Sequence, residues 1–200
     1  MTNSGSKIFV LSDETAGQTR VVPEQAFPSD DYLQREIERR PDLIPGEQVD
    51  PDVPRKWLVV TREAGSGEYL PGIDRWTMDH VLIDQDAVPT LVECHMSTDA
   101  ETGRVTIGRL LDYAANIKSF WPDGRLREAA RVTLRRAGRT YEYAVGELIE
   151  SDDPRQVESY WVRADQNMTE GRVRIVLASA RFSPELFKMI EFFGGQMCTP

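Results

Sequence analysis

Cysteine and histidine are scarce in this chain, and each occurs only twice in 200 residues. Cys94 and Cys198 cannot form the framework of disulfides typical of small secreted proteins, so we expect a reducing, cytoplasmic compartment. A structural zinc site needs about four Cys or His ligands, so every such residue of the chain would have to converge on one point. A disulfide framework and a structural zinc site are therefore both poor candidates.

Long apolar runs are also missing. No stretch approaches the roughly 20 residues that cross a bilayer. The first residues, MTNSGSKIFVLSDE, lack the basic start, apolar run and cleavage site of a secretory signal. We therefore expect no membrane partner.

A nucleotide-binding loop and a cysteine nucleophile are equally unsupported. The glycines of AGSGEYLPGI (64–73) are not followed by Gly-Lys-Ser/Thr, so this stretch is predicted to be a loop. Cys94 and His95 are neighbours on a predicted strand and point to opposite faces, so they cannot cooperate. Cys94 is therefore predicted to be a core residue, as are Trp121, Tyr160 and Trp161.

Charge is unevenly distributed along the chain. The 33 acidic and 24 basic residues give a net charge of −9. Between Arg104 and Arg139, however, there are nine basic residues and only three acidic ones, Asp112, Asp123 and Glu128. That segment would attract a polyanion, or it is an ordinary solvated helix face. The acidic remainder of the chain suits a carboxylate site that holds a cation.

Strand and helix patterns are interleaved, which predicts an α/β or α+β class around a mixed sheet. Helical spacing predicts helices at 29–40, 104–121, 124–138, 154–168 and from Ser183, the expected N-cap, to the glycines 194–195. Residues 43–54 are predicted to form a Pro/Gly-rich loop. Short apolar or alternating stretches predict strands at 7–11, 55–63, 74–84, 88–96, 140–145 and 172–180.

The strand PTLVECHM (89–96) carries an acid and a histidine at its end. Side chains alternate across a strand, so Glu93 and His95 share one face. A short turn joins this strand to 74–84, which predicts antiparallel pairing and allows Asp79 to converge on Glu93. Two neighbouring carboxylates repel unless a proton or a cation lies between them. A hard divalent ion such as Mg²⁺ would suit the pair, unless both are merely solvated or ion-paired strand-end residues.

At larger scale, DRWTMDHVLIDQDAVPTLVECHMSTDAETGRVTIGRLLDYAANI resembles the PD-(D/E)XK nuclease-like superfamily. The likeness is to bacterial members in which an Asp-bearing strand, a turn and VExK precede a helix reading IGQxLDYAA. FPSDDYLQREIERRPDLIPGEQ is similar to their first helix, and GRVRIVLASARFSPELFKMIEFFGGQM to their late strand and helix. The resemblance implies one restriction-endonuclease-like domain over residues 1–200, a mixed β-sheet core flanked by helices. Similar proteins tend to continue further, which leaves open that this is the N-terminal part of a longer chain.

The resemblance also implies a site. Asp79 and Glu93 would bind the metal, with Asp30 (or Asp31) and Gln34 at the rim. The lysine of the family falls on His95 and its helix glutamine on Arg109. A mostly neutral imidazole would serve as a third ligand or water-orienting base, and it favours Mn²⁺ over Mg²⁺.

The implied function is metal-dependent hydrolysis of DNA phosphodiester bonds. Arg109 would contact phosphate, and nucleic acid would be attracted by arginines of the basic segment: Arg104, Arg109, Arg125, Arg127, Arg131 and Arg135. The alternative is a nuclease fold that has lost catalysis and binds nucleic acid or protein. The replacement of the lysine by His95 and of the glutamine by Arg109 is what is expected when cleavage is no longer under selection. The pattern leaves open whether DNA or another nucleic acid is preferred, and whether the protein forms a homodimer.

Overall fold

A computed structural model describes residues 7–11, 19–23, 28–64, 78–96, 99–179 and 181–197. Over these residues the chain has mixed α/β architecture, with a four-stranded sheet flanked by helices and a separate two-stranded hairpin. The strands are β1 (Lys7–Leu11), β2 (Thr19–Pro23), β3 (Trp57–Ala64), β4 (Met78–Asp84), β5 (Pro89–Cys94) and β6 (Arg174–Ala178). The helices are α1 (Asp30–Arg39), α2 (Ala100–Ala115), α3 (Ile117–Phe120), α4 (Arg125–Arg136), α5 (Tyr141–Ile149), α6 (Pro154–Glu170) and α7 (Pro184–Met197).

The main sheet has the strand order β3-β4-β5-β6. β3, β4 and β5 pair antiparallel, which confirms the pairing predicted for the two site-bearing strands. β6 lies parallel to β5, and the crossover that a parallel pair requires is formed by helices α2 to α6. The sheet is therefore mixed, as the sequence predicts.

Strand parity divides the core into two layers. Leu58, Val81, Ile83 and Leu91 belong to one cluster with apolar residues of α2, α4, α5 and α6. Leu82, Val92 and Cys94 alternate with these residues and form a second, smaller cluster with Leu33 and Ile37 of α1. The sheet thus has α1 on one face and the larger helical layer on the other. The core roles predicted for Cys94, Trp121, Tyr160 and Trp161 are confirmed by their burial.

Several predicted elements need correction. Residues 140–145 were expected to form a strand but begin helix α5, which Thr140 caps by accepting the Tyr143 N–H. The helix predicted at 104–121 starts earlier, at Ala100, and is divided at Asn116 into α2 and α3. α7, capped by Ser183 as predicted, continues through the two glycines to Met197. The predicted 43–54 loop includes two short 3₁₀ segments. The turn Pro41–Leu43 ends at the first residue of the loop, and Gly46–Gln48 lies within it.

Strand β2, with residues TRVVP, is not among the strands that the sequence predicts. Residues 65–77, which include most of the predicted 64–73 loop and the start of the predicted 74–84 strand, lie outside the described residues, as does Cys198. In the described part of the chain, no helix has the length and apolar character needed to cross a membrane.

Gly46 is required by a close backbone contact. A Cβ atom built on this residue would lie 2.0 Å from the carbonyl oxygen of Arg55 and 2.6 Å from its nitrogen. These are backbone atoms, so they cannot move aside as a flexible side chain could. The contact fixes the segment after α1 against the start of β3.

Candidate active site at the end of strands β4 and β5

β4 and β5 stop pairing through their backbones at the end that carries Asp79 and Glu93. The last backbone pair before this end is His80 with Val92. Beyond this pair, the Asp79 side chain replaces a backbone acceptor: its Oδ2 accepts the Cys94 N–H at 2.7 Å. β5 remains paired with β6 as far as Cys94. The site therefore lies where one strand leaves its neighbour, and an acid lies on each side of the opening.

Asp79 lies close enough to Glu93 to influence its ionisation. Burial, followed by the Asp79 charge, raises the pKa of Glu93 to about 7 from an ordinary value of 4.5. Burial also raises the pKa of Asp79, although hydrogen bonds from Cys94 and Gln34 oppose the effect. Glu93 is only 5% exposed, and its Oε2 has no hydrogen-bond partner among the described residues. The predicted convergence of two carboxylates is thus what the strand geometry produces.

Helix α1 brings two more of the predicted residues to this point. The side-chain amide of Gln34 donates a hydrogen bond to Asp79. Asp30 Oδ1 accepts the Met96 N–H at 2.9 Å, and the charge of Asp30 raises the pKa of both Asp79 and Glu93. The sequence left Asp30 and Asp31 as alternatives. The structure places Asp30 at the site, whereas Asp31 pairs with Arg35 and Arg62.

Helix α2 contributes Arg109, whose Nη2 lies 3.2 Å from Glu93 Oε1. The guanidinium lowers the pKa of both Glu93 and Asp79 and so partly offsets their mutual repulsion. Its side chain is 49% exposed, so the group lies at the mouth of the site. Arg109, which stands where the resemblance predicts a glutamine, is therefore an ion-pair partner of Glu93, one of the predicted metal ligands.

His95 is held by α2, one turn before Arg109. Its Nδ1 lies 3.3 Å from the hydroxyl of Thr106, and the ring is buried. The Thr106 hydroxyl donates to the Thr102 carbonyl, 3.1 Å away, which leaves its oxygen able to accept a hydrogen bond from Nδ1–H. Nε2, the other ring nitrogen, is buried and has no hydrogen-bond partner in the described part of the chain.

Two residues that the sequence reasoning did not assign to the site fix α1 against the sheet. Arg62 of β3 contacts Asp31, Gln34 and Glu38 on the helix. His80 of β4 donates from Nε2 to the Gln34 carbonyl at 3.0 Å, and burial lowers its pKa to about 4, which keeps it neutral. Strand parity could have indicated both, since Arg62 and His80 are paired on the face that α1 covers.

The predicted nucleic-acid-binding arginines do not form a single free surface. Arg127 of α4 pairs with Glu158 and contacts Tyr141, and Arg131 lies over the same Tyr141 ring. Arg125 donates to the Phe120 carbonyl and lies over Trp121. Arg104 and Arg135 are exposed. Much of the positive charge of α4 is thus engaged within the helical layer.

The donor set at the strand opening fits a hard divalent ion. Asp79 and Glu93 supply carboxylate oxygens, one of which, Glu93 Oε2, is buried and unpartnered within the described residues. Burial raises both pKa values, and the Asp79 charge raises that of Glu93 further, so a cation would stabilise the ionised forms that the site disfavours. No group of three or more His, Cys, Asp and Glu side chains in the described ranges is arranged as metal ligands, so His95 is not grouped with the two acids. Water would have to complete the coordination, as it commonly does for Mg²⁺.

Comparison of the chain with models of protein families, with curated proteins and with solved structures finds no significant match. No relative therefore supplies a role for these residues.

Proposed function

We propose that this protein is a metal-dependent nuclease-like domain of the PD-(D/E)XK type that hydrolyses DNA phosphodiester bonds. The observation that carries the proposal is the opening between β4 and β5, where Asp79 and Glu93 meet in a buried, anionic site with Gln34 and Asp30 at its rim. Residues spread over α1, β4, β5 and α2, as the family pattern implies, come together at one end of a mixed sheet.

Each residue has a role that follows from its position. Asp79 and Glu93 would hold Mg²⁺ or Mn²⁺, which supplies charge neutralisation at the phosphate and a more acidic water. Gln34 orients the Asp79 carboxylate through its hydrogen bond. Arg109, at the mouth of the site, would contact a phosphate group. His95 would present Nε2, which has no partner among the described residues, with the ring held by its contact with Thr106.

A second function is favoured by the same departures from the family pattern. A histidine, buried against Thr106, stands where the family pattern has a lysine, and Arg109 is paired with Glu93. A domain with these features could have lost catalysis and bind nucleic acid or protein without cutting. In that case the carboxylates would serve only to join the strand ends and α1.

The decisive experiment is cleavage of plasmid and labelled oligonucleotides in Mn²⁺, Mg²⁺ or chelator. The nuclease proposal requires cutting with Mn²⁺ that is lost in chelator and in both Asp79→Asn and Glu93→Gln. Glu101→Gln, which removes an exposed carboxylate from the first turn of α2, should cut as the wild type does.

The binding-module alternative gives a different result. Equal DNA binding with and without divalent ions, and no cleavage with any of them, would support it over the nuclease proposal. Binding should then weaken with salt. Arg135→Ala, which removes an exposed charge of α4, should weaken it further, whereas Arg172→Ala, outside the basic segment, should not.

A further inference from the structure

Arg109 forms an ion pair with Glu93, the carboxylate that a bound cation would also need. Its Nη2 lies 3.2 Å from Glu93 Oε1, and its charge also acts on Asp79. Thr106, one turn earlier on α2, contacts His95, so this part of the helix packs against the end of β5. Arg109 is thus positioned by helix packing as well as by its own ion pair.

Among the described residues, the charge balance at the opening is incomplete. The negative charge of Asp30 acts on both Asp79 and Glu93, that of Asp79 acts on Glu93, and Arg109 is a positive group that acts on both Asp79 and Glu93. One guanidinium charge cannot neutralise the group, and Glu93 Oε2 still lacks a partner in the described chain. The Arg109 side chain is 49% exposed, so its ion pair with Glu93 lies at the boundary with solvent and not in the core.

We infer that Arg109 is a built-in competitor for the divalent ion, which occupies Glu93 in the ion-free protein and gives it up when an ion enters. The inference rests on the proposed metal site and adds regulation of that site. A guanidinium and a divalent cation a few ångströms apart repel each other, and both cannot be bound at full strength by one carboxylate. A neutral glutamine at this position would impose no such cost. Arg109 therefore lowers ion affinity, and its release makes a cation available to a phosphate group at the same mouth.

The test is Mn²⁺ binding to the purified full chain, measured by isothermal titration calorimetry and by the electron paramagnetic resonance signal of free Mn²⁺. Arg109→Gln should bind Mn²⁺ about tenfold more tightly than the wild type, a size typical of coupling between two sites. Arg109→Lys keeps the charge and should stay close to the wild type. Lys118→Gln, which removes an exposed positive charge from α3, is the matched control and should not change the affinity.

Binding at this site is identified by its loss in Asp79→Asn, and circular dichroism checks that each variant is folded. Where the wild type binds Mn²⁺, equal or weaker binding by Arg109→Gln overturns the inference and leaves the proposed metal site intact. An equal gain in Arg109→Gln and Lys118→Gln also overturns it, because the effect would then be one of net charge. Failure of both the wild type and Arg109→Gln to bind any ion overturns the inference and the metal site together.

Discussion

Asp79 on β4 accepts the Cys94 N–H of β5 through its side chain, at 2.7 Å, at the position where the backbone ladder between these strands has ended. One carboxylate therefore does two things. It satisfies a backbone donor on a strand that has left its neighbour, and it places negative charge beside Glu93. The contact links the stability of the strand ends to the chemistry proposed for the site.

Asp79→Ala should therefore be less stable than Asp79→Asn. Both changes remove the charge, but asparagine keeps an oxygen that can accept the Cys94 N–H, and alanine leaves that donor unpaired. The difference should be about 1–2 kcal/mol in the free energy of unfolding, measured with urea. Equal stabilities would show that the N–H finds water or another acceptor, and that the contact is incidental.

Glu93 should make the protein less stable as the pH rises. Its pKa is raised from 4.5 to about 7 in the folded state, so between these values the folded protein binds more protons at this position than the unfolded chain does. Stability then falls with rising pH over that range. Glu93→Gln keeps the neutral form, so the unfolding free energy of the wild type relative to this variant should decrease by roughly 2–3 kcal/mol between pH 4.5 and 7.

Glu101→Gln provides the control for this measurement, because Glu101 is exposed. Its stability should follow that of the wild type across the pH range. A constant difference between wild type and Glu93→Gln from pH 4.5 to 7 would contradict the prediction and show that Glu93 is ionised throughout.

Gly46→Ala and Gly108→Ala should have opposite effects. At Gly46 an added methyl group meets the Arg55 backbone, and we expect a loss of about 3 kcal/mol from overpacking. At Gly108, on the exposed face of α2, an added Cβ meets no described atom within 4 Å. There the better helix propensity of alanine should stabilise the protein by about 0.5–1 kcal/mol. Thermal unfolding of the two variants checks both signs, and a stable Gly46→Ala protein would contradict the close contact.

The sequence predicts most of the sheet because the alternation of side chains is a local property. It fails at residues 140–145, where the alternation of Tyr141 and Tyr143 resembles a strand. The helical period becomes visible only when Ala144, Val145 and Leu148 are read together with Tyr141. A six-residue window is shorter than two helical turns, so it cannot separate these alternatives.

The candidate site also has a part that the sequence predicts and a part that it does not. Parity alone puts Asp79 and Glu93 on one face and predicts their convergence. The ion pair of Arg109 with Glu93 and the contact of His95 with Thr106 depend on how α2 crosses the end of β5, which local patterns do not contain. The choice of Asp30 over Asp31 likewise depends on Arg62, a residue of a different strand that binds Asp31.

His95→Lys tests whether the proposed nuclease activity is limited by the histidine that stands where the resemblance predicts a lysine. Lysine at this position would supply the fixed positive charge that the family pattern contains, beside a buried Glu93 that can pair with it. We expect cleavage supported by Mg²⁺ to rise about tenfold or more, because one well-placed cationic donor commonly contributes at least that much. His95→Gln, polar but uncharged, should give no such rise. If the lysine and glutamine variants cut equally poorly in Mg²⁺ while both remain folded, charge at this position does not limit the reaction, and the binding-module function gains support.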